Sequence, residues 1–187
     1  MAESESDNLV VLSMYPDRDE PGLVEFYFVL GSCVSTWAFI DRRLYELFHE
    51  AFRGDYRQSA LMFYRQRAFN TRLRLVNDTL RATVSKDIFE HKWKPLSTRL
   101  DTLSHTRNVF AHHPPKRLAS SKDGKPLYTY TIYIEPYERI LNAEYPGLQG
   151  KEELTVDDLR THDVELEAVE RDLRWFRSTQ IASKRGA

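Results

Sequence analysis

Apolar residues recur at steps of three and four along most of the chain, which is the spacing of a helix that buries one face. The longest stripe predicts a first helix from Pro21 or Gly22 to near Gly54, because glycine often ends a helix. A second stripe predicts a helix from about Asp55 to Val84. The members of the two stripes are Leu30, Cys33, Trp37, Ile40, Leu44 and Leu47, and then Phe69, Leu73, Val76 and Leu80.

A third helix is predicted from Leu96 to the pair Pro114 and Pro115, because proline does not continue a helix. Its core-facing stripe reads Leu96, Leu100, Leu103, Arg107 and Phe110. Arg107 therefore stands where an apolar residue is expected. A buried guanidinium stays charged and needs a partner, and Asp41, beside the stripe of the first helix, is one candidate.

Pro95 lies near the start of this third helix. It either occupies the first turn or kinks a longer helix, for which Ser85 is a plausible N-cap. In both cases Lys94 is predicted to avoid the helical conformation, because it directly precedes a proline.

After the proline pair the pattern changes to that of a strand. Residues 127–134 are β-branched and aromatic, and residues 117–119 are a weaker strand, so a hairpin insertion is predicted over 117–135. Such a hairpin is marginal alone and has to pack on the bundle or on a second protomer. Thr155 then caps a final helix to about Ile181. Its predicted inward residues are Leu159, Val164, Leu166, Val169, Leu173 and Phe176.

These elements predict an all-α protein. We expect an up-and-down helical bundle of four to five helices, with a small β-hairpin insertion after the third helix. Its 187 residues suit a single domain, 1–187, with tails at 1–8 and 183–187.

Charge restricts the possible partners. With 27 Lys and Arg against 28 Asp and Glu, the formal net charge is −1, so a protein that coats nucleic acid without specificity is excluded and any RNA contact has to be local. The densest positive cluster holds Arg67, Arg74 and Arg81, which are spaced seven apart. They form either a solvated basic face or a set of phosphate contacts.

Other classes are set aside by what the sequence lacks. The lone Cys33 allows no internal disulfide, and we expect it in the core. No metal or cofactor is expected, because the adjacent His112 and His113 point about 100° apart on a helix and no metal-binding spacing accompanies them. We expect no apolar run near the roughly 20 residues that span a bilayer and no leader, and therefore a cytoplasmic protein without membrane contact.

Three polar residues flank the stripe that carries Arg107. Asn108 and His112 are four apart, and His105 lies three before Asn108, so these three share a second stripe. His105 is a further candidate for RNA binding, beside the three arginines. His112 lies five residues after Arg107, about 140° around a helix, so one helix does not easily aim both at one atom. Two copies related by a two-fold axis could do so. The alternative is structural: an ion pair for Arg107, and a His112 that the helix dipole favours.

The segment Arg107-Asn108-Val109-Phe110-Ala111-His112 resembles the R-x4-6-H signature of the HEPN superfamily, including the polar Asn that follows the arginine. Members are small helical bundles, usually dimeric, and many are metal-independent endoribonucleases. The resemblance implies a homodimer that cleaves RNA with Arg107 and His112, helped by Asn108. A toxin or defence role with an unidentified antitoxin partner would fit.

One departure concerns the residue two positions after the histidine. A subgroup whose antitoxin adenylylates a tyrosine needs that tyrosine here, and this chain has Pro114. Two other functions stay open. One is a non-catalytic HEPN-like module for dimerisation or ligand binding, and the other is a scaffold whose hairpin recruits a partner.

Overall fold

The computed structural model describes residues 21–122, 125–134, 139 and 148–181. The predicted tails and residues 123–124, within the predicted hairpin, lie outside the described residues. The helices are α1 (Pro21–Phe52), α2 (Tyr56–Tyr64), α3 (Phe69–Thr83), the short α4 (Lys86–Ile88), α5 (Lys94–His112) and α6 (Val156–Phe176). The strands are β1 (Pro115–Lys122), β2 (Lys125–Tyr133) and β3 (Glu153–Leu154). A helical bundle with a small β insertion is therefore confirmed.

Helix α1 organises the bundle, since its predicted stripe is buried apart from the partly buried Leu30. It packs beside α6, where Ser32 Oγ donates a hydrogen bond to Asp163 Oδ2 at 2.6 Å. Further along, Arg43 Nε donates to Glu170 Oε1 at 2.9 Å. The residue numbers of the paired positions increase together along the two helices, so α1 and α6 run in the same direction.

The single helix predicted from Asp55 to Val84 is wrong, because the chain breaks into α2 and α3 at residues 65–68. The break has a geometric cause. Phe63 and Phe69 both contact α1, but six residues turn a helix through about 600°, which places them about 120° apart on one continuous helix. Only a break lets both rings pack on α1, where Phe63 meets Tyr45 at 5.6 Å and Phe69 meets Trp37 at 4.5 Å between ring centroids.

Pro95 lies within a longer helical run. A π-helical turn, Phe89–Trp93, precedes α5 directly, and Lys94 is helical with φ −56° and ψ −44°. The prediction that Lys94 avoids this conformation is wrong. Proline removes one N–H and crowds the preceding turn, and a wider π-helical turn accommodates both effects. Trp93 Nε1 donates to Asn77 Oδ1 at 2.6 Å, which ties this turn to α3.

The insertion is a three-stranded antiparallel sheet in the order β1-β2-β3. The predicted hairpin is present, with Arg117 opposite Tyr130. The third strand was missed because it is two residues long; it places Leu154 opposite Ile132. Tyr130, Ile132 and Leu154 are buried, so the sheet packs its inner side on the bundle.

Helix α6 begins with a capping box. Thr155 Oγ1 accepts a hydrogen bond from the backbone N–H of Asp158, and an Asp158 carboxylate oxygen accepts from the backbone N–H of Thr155. The predicted inward position of Val164 is wrong, because it is exposed while His162 is buried. The buried positions step 159, 162, 166, 169, 173 and 176. His162 therefore occupies a position in an otherwise apolar stripe. Val164 faces away from that stripe, because it lies about 140° from Leu159 around the helix.

Length and composition also allow α1 to cross a membrane. Residues 22–52 contain an 18-residue window of mean hydropathy 1.6, of which 33% is buried inside the protein. This window was not expected from the sequence. Core helices of soluble proteins pass the same test, so the finding assigns no location.

Candidate functional site

Arg107 lies on the core-facing stripe of α5, as its spacing predicted. The four apolar members of that stripe are buried, and Arg107 is partly buried among them. Its guanidinium carbon is 5.9 Å from the centre of the Trp37 ring on α1. Its Nε atom is buried and has no hydrogen-bond partner among the described residues. The arginine therefore packs on an aromatic face with part of its donor capacity unused.

Asp41 is close to Arg107, but its direct partner is a different arginine. Arg72 Nη1 on α3 donates to Asp41 Oδ2 at 2.6 Å, while Asp41 Oδ1 is buried without a partner among the described residues. Burial raises the pKa of Asp41, and the positive charges of Arg72 and Arg107 oppose that rise. Asp41 thus neutralises Arg72 first. The sequence analysis did not single out Arg72 for this role.

The three groups Asp41, Arg72 and Arg107, named here the arginine cluster, carry one surplus positive charge. Burial and the charge of Arg72 lower the pKa of Arg107, and Asp41 opposes this. A guanidinium nevertheless stays protonated in proteins. A partly desolvated cation without a full complement of acceptors favours an anionic ligand, and the arginine fork matches the oxygens of a phosphate or a carboxylate.

The polar stripe next to Arg107 faces outward. Asn108 is exposed, and its Oδ1 accepts a hydrogen bond from Arg107 Nη1 at 3.2 Å. His112 is the last residue of α5 and is exposed. His113 is held instead, with Nδ1 2.7 Å from the carbonyl oxygen of Val109. The structure thus leaves the imidazole of His112, rather than that of His113, open to an incoming molecule.

Arg107 and His112 do not meet within one chain. No hydrogen bond or ion pair joins them in the part of the chain that the structure describes. They are five residues apart, which corresponds to about 7.5 Å along the helix axis and about 140° around it. A site that uses both on one atom has to draw one of them from elsewhere.

The three arginines proposed for RNA binding do not form one row. Arg67 lies in the link before α3, so only Arg74 and Arg81 share a helix, and all three are exposed. Helices α3 and α5 run antiparallel, since Asn77 bonds Ser97 and Asn70 bonds Ser104. This places Arg67 at the level of Arg107 and Asn108. Arg81 lies at the other end, 5.0 Å over the Phe89 ring.

His105, on α5, is partly buried and has at least one contact, so it is not a free group. Among the described residues no group of three or more His, Cys, Asp or Glu side chains is arranged to hold a metal ion.

Comparison with known proteins gives no relative for this chain. No family model, no curated protein and no solved structure matches it. The resemblance to the HEPN superfamily therefore rests on residues 107–112 and the helical context around them.

Proposed function

We propose that the protein is an endoribonuclease of HEPN type that needs no metal, with a site made of Arg107 from one copy of the chain and His112 from a second copy. The observation that carries this proposal is the surplus positive charge of the arginine cluster, whose Arg107 lies on α5 five residues before the solvent-facing imidazole of His112. A cation for a phosphate and a free acid–base group are the two components that phosphodiester transfer needs.

In the proposed reaction the 2′-OH of a ribose loses its proton, and the 2′-oxygen attacks the adjacent phosphorus. The bond from phosphorus to the 5′-oxygen breaks, and that oxygen gains a proton. His112 either takes the first proton as a base or delivers the second as an acid, and water accepts or supplies the other one. The products are a 2′,3′-cyclic phosphate and a 5′-OH. Arg107 stabilises the extra negative charge on the pentacoordinate phosphorus, and Asn108 orients the guanidinium that it already contacts. Because the nucleophile is the 2′-OH, the substrate is RNA and not DNA.

The alternative is a module that dimerises or binds a ligand without chemistry. Its support is the packing of Arg107 over Trp37 and the internal hydrogen bond to Asn108. Both contacts give the arginine a structural role in a single chain. The helix dipole accounts for His112 in this alternative, but neither contact uses the surplus charge of the arginine cluster, which is why the catalytic proposal ranks first.

The first test is cleavage of a structured RNA by purified protein. Arg107→Ala and His112→Ala are each expected to lower the rate by roughly 10²–10⁴. His91→Ala removes an exposed histidine on the π-helical turn and serves as the matched control, with an expected rate equal to that of wild type. EDTA is expected to leave the rate unchanged. Equal rates for wild type and the two site variants would sink the nuclease proposal and leave the binding module.

A second test examines the composite site. When Arg107→Ala and His112→Ala chains are mixed and allowed to exchange, about half of the dimers become mixed and each holds one intact pair, so about a quarter of wild-type activity is expected. A mixture as inactive as its two components shows that the site does not form across two chains.

A further inference from the structure

A cavity lies where α1 meets α2, outside the arginine cluster. Its volume is about 320 Å³, and three of its lining residues are Tyr45, Tyr56 and Tyr64. The Tyr45 ring lies 5.8 Å from Tyr56 at 79° and 5.2 Å from Tyr64 at 38°, measured between centroids and ring planes. Tyr45 is 5% exposed, whereas Tyr56 is 65% and Tyr64 is 51% exposed. One buried ring thus forms a floor beside two open rings.

The buried Tyr45 ring and the start of α2 are held in place by contacts within the protein. The Tyr45 hydroxyl donates to the carbonyl oxygen of Tyr56 at 3.3 Å. His49 stacks on Tyr45 at 6.1 Å and meets the Tyr56 ring edge-on at 5.4 Å. The Asp55 carboxylate accepts hydrogen bonds from the first turn of α2 and so fixes the start of that helix. Rings that are already ordered lose little entropy when a planar group stacks on them.

The charges around the cavity cancel. Arg177 donates to Glu46 and Glu50, each at 2.7 Å, and Arg42 bonds Glu46 at 3.2 Å. Two arginines thus face two carboxylates. An aromatic cage for a quaternary ammonium group needs negative or neutral surroundings without competing cations, and here two cations already line the wall. A neutral planar ligand fits this balance better.

The cavity adjoins the arginine cluster. Burial first, and then the charge of Asp41, raise the pKa of Tyr64, so the tyrosine ring lies within the electrostatic reach of that cluster. Arg72 lies 5.8 Å over the ring of Phe63, the neighbour of Tyr64 in the chain. Asp41 and Tyr45 are four residues apart on α1, which is about one helical turn, so rings that stack planar groups lie close to arginines that attract phosphate. This pairing is the one that single-stranded nucleic acid uses.

We propose that the tyrosine cavity binds an unpaired base of single-stranded RNA, stacked on Tyr56 and Tyr64, while the arginine cluster holds the phosphates beside it; this inference rests on the proposed function. Trp37, under Arg107, and Tyr45 are eight residues apart on α1, or about 12 Å. That is the length of about three to four stacked nucleotides at about 3.4 Å each. The stacked base is therefore several nucleotides away from the phosphate at Arg107.

The test measures binding of a fluorescein-labelled 2′-O-methyl oligouridylate of about 12 nucleotides by anisotropy; this probe lacks the free 2′-OH that the proposed cleavage needs. Tyr56→Ala and Tyr64→Ala are each expected to raise the Kd by about 5- to 150-fold, because each removes a stacking surface. Tyr56→Phe and Tyr64→Phe keep the ring and are expected to bind as wild type does. Tyr27→Ala is the matched control, because Tyr27 is a helix tyrosine of α1 with 50% exposure that lies outside the cavity.

The outcomes separate this inference from the proposed function. If wild type cleaves RNA and the Ala variants bind it as tightly as wild type does, the proposal that the tyrosine cavity binds a base is wrong. The proposed nuclease activity is then unaffected. A wild type that neither binds nor cleaves RNA overturns both. A dinucleotide is too short to reach the cavity, so its cleavage by the Tyr variants is expected to match wild type. Its loss would show damage to the catalytic site instead of a stacking role.

Two further measurements do not depend on how the Ala variants fold. Ultraviolet cross-linking of a 5-bromouridine oligomer to wild type is expected to label Tyr56 or Tyr64, and labelling confined to other peptides contradicts the assignment. Tetramethylammonium chloride is expected to compete no better than the same concentration of sodium chloride. Specific competition would assign the cavity to a cation and overturn the nucleobase proposal.

Discussion

His162 gives the fold a specific sensitivity to acid. The side chain is 4% exposed, and its Nε2 has no hydrogen-bond partner in the described part of the chain. The ring of Phe110 meets it edge-on at 5.2 Å. Burial lowers the pKa of His162 from 6.5 to about 4. The folded protein therefore keeps this histidine neutral at a pH where the unfolded chain protonates it.

The sign follows from proton binding. Between pH 6.5 and about 4 the unfolded state holds one more proton at this residue, so the stability contributed by His162 is full above pH 6.5 and falls as the pH falls. The whole shift corresponds to about 3 kcal/mol, of which about 2 kcal/mol is lost by pH 5. That loss is a large part of the stability of an ordinary domain.

Urea unfolding of wild type and His162→Leu at pH 7 and pH 5 measures this effect. Leucine suits the position, since its neighbours on the stripe are Leu159 and Leu166. Carboxylates affect both proteins equally, so the variant is expected to lose about 2 kcal/mol less than wild type between the two pH values. If the two proteins lose the same stability to within about 0.5 kcal/mol, the prediction that His162 is buried in its neutral form is wrong.

Two other predictions concern the core. Leu103→Ala is expected to lower the free energy of unfolding by about 2–5 kcal/mol, because Leu103 is buried on the stripe that also carries Arg107; a loss under about 0.5 kcal/mol in denaturant titration would mean that α5 faces the other way. Burial raises the pKa of the Cys33 thiol to about 12, and its Sγ donates to the carbonyl oxygen of Leu159 at 3.4 Å. An aromatic disulfide reagent at pH 8 is therefore expected to label Cys33 only as the protein unfolds. Rapid labelling of the folded protein would contradict that burial.

Long helices were predictable because their stripes are long. The stripe of α1 predicted that helix, while Pro21 or Gly22 and Gly54 placed its ends to within a few residues. Thr155 marked the start of α6. Errors arose where tertiary packing decided between local options. Phe63 and Phe69 both had to reach α1, so one predicted helix became two. The helical period places position 162 on the buried stripe of α6. Val164 was predicted there instead, because valine is apolar and histidine is polar.

The candidate site was predictable only in part. The polarity of Arg107 on an apolar stripe was visible in the sequence, and so was the outward stripe that holds His112. Their surroundings were not visible, because Trp37 and Arg72 come from other helices. The tyrosine cavity was missed for the same reason: Tyr45 and Tyr64 are nineteen positions apart, and no local pattern shows that their rings meet.

The seam between α1 and α6 constrains how the chain can be made. The hydrogen bond from Arg43 to Glu170 joins residues 127 positions apart. At the usual speed of a ribosome, a nascent chain takes about 6 to 25 seconds to add that many residues. Throughout that interval the carboxylates that Arg177 will hold, and the side of α1 that α6 will cover, face the solvent. The α1 segment is therefore where chaperone binding during synthesis is most to be expected, and any truncation that removes α6 leaves that side permanently open.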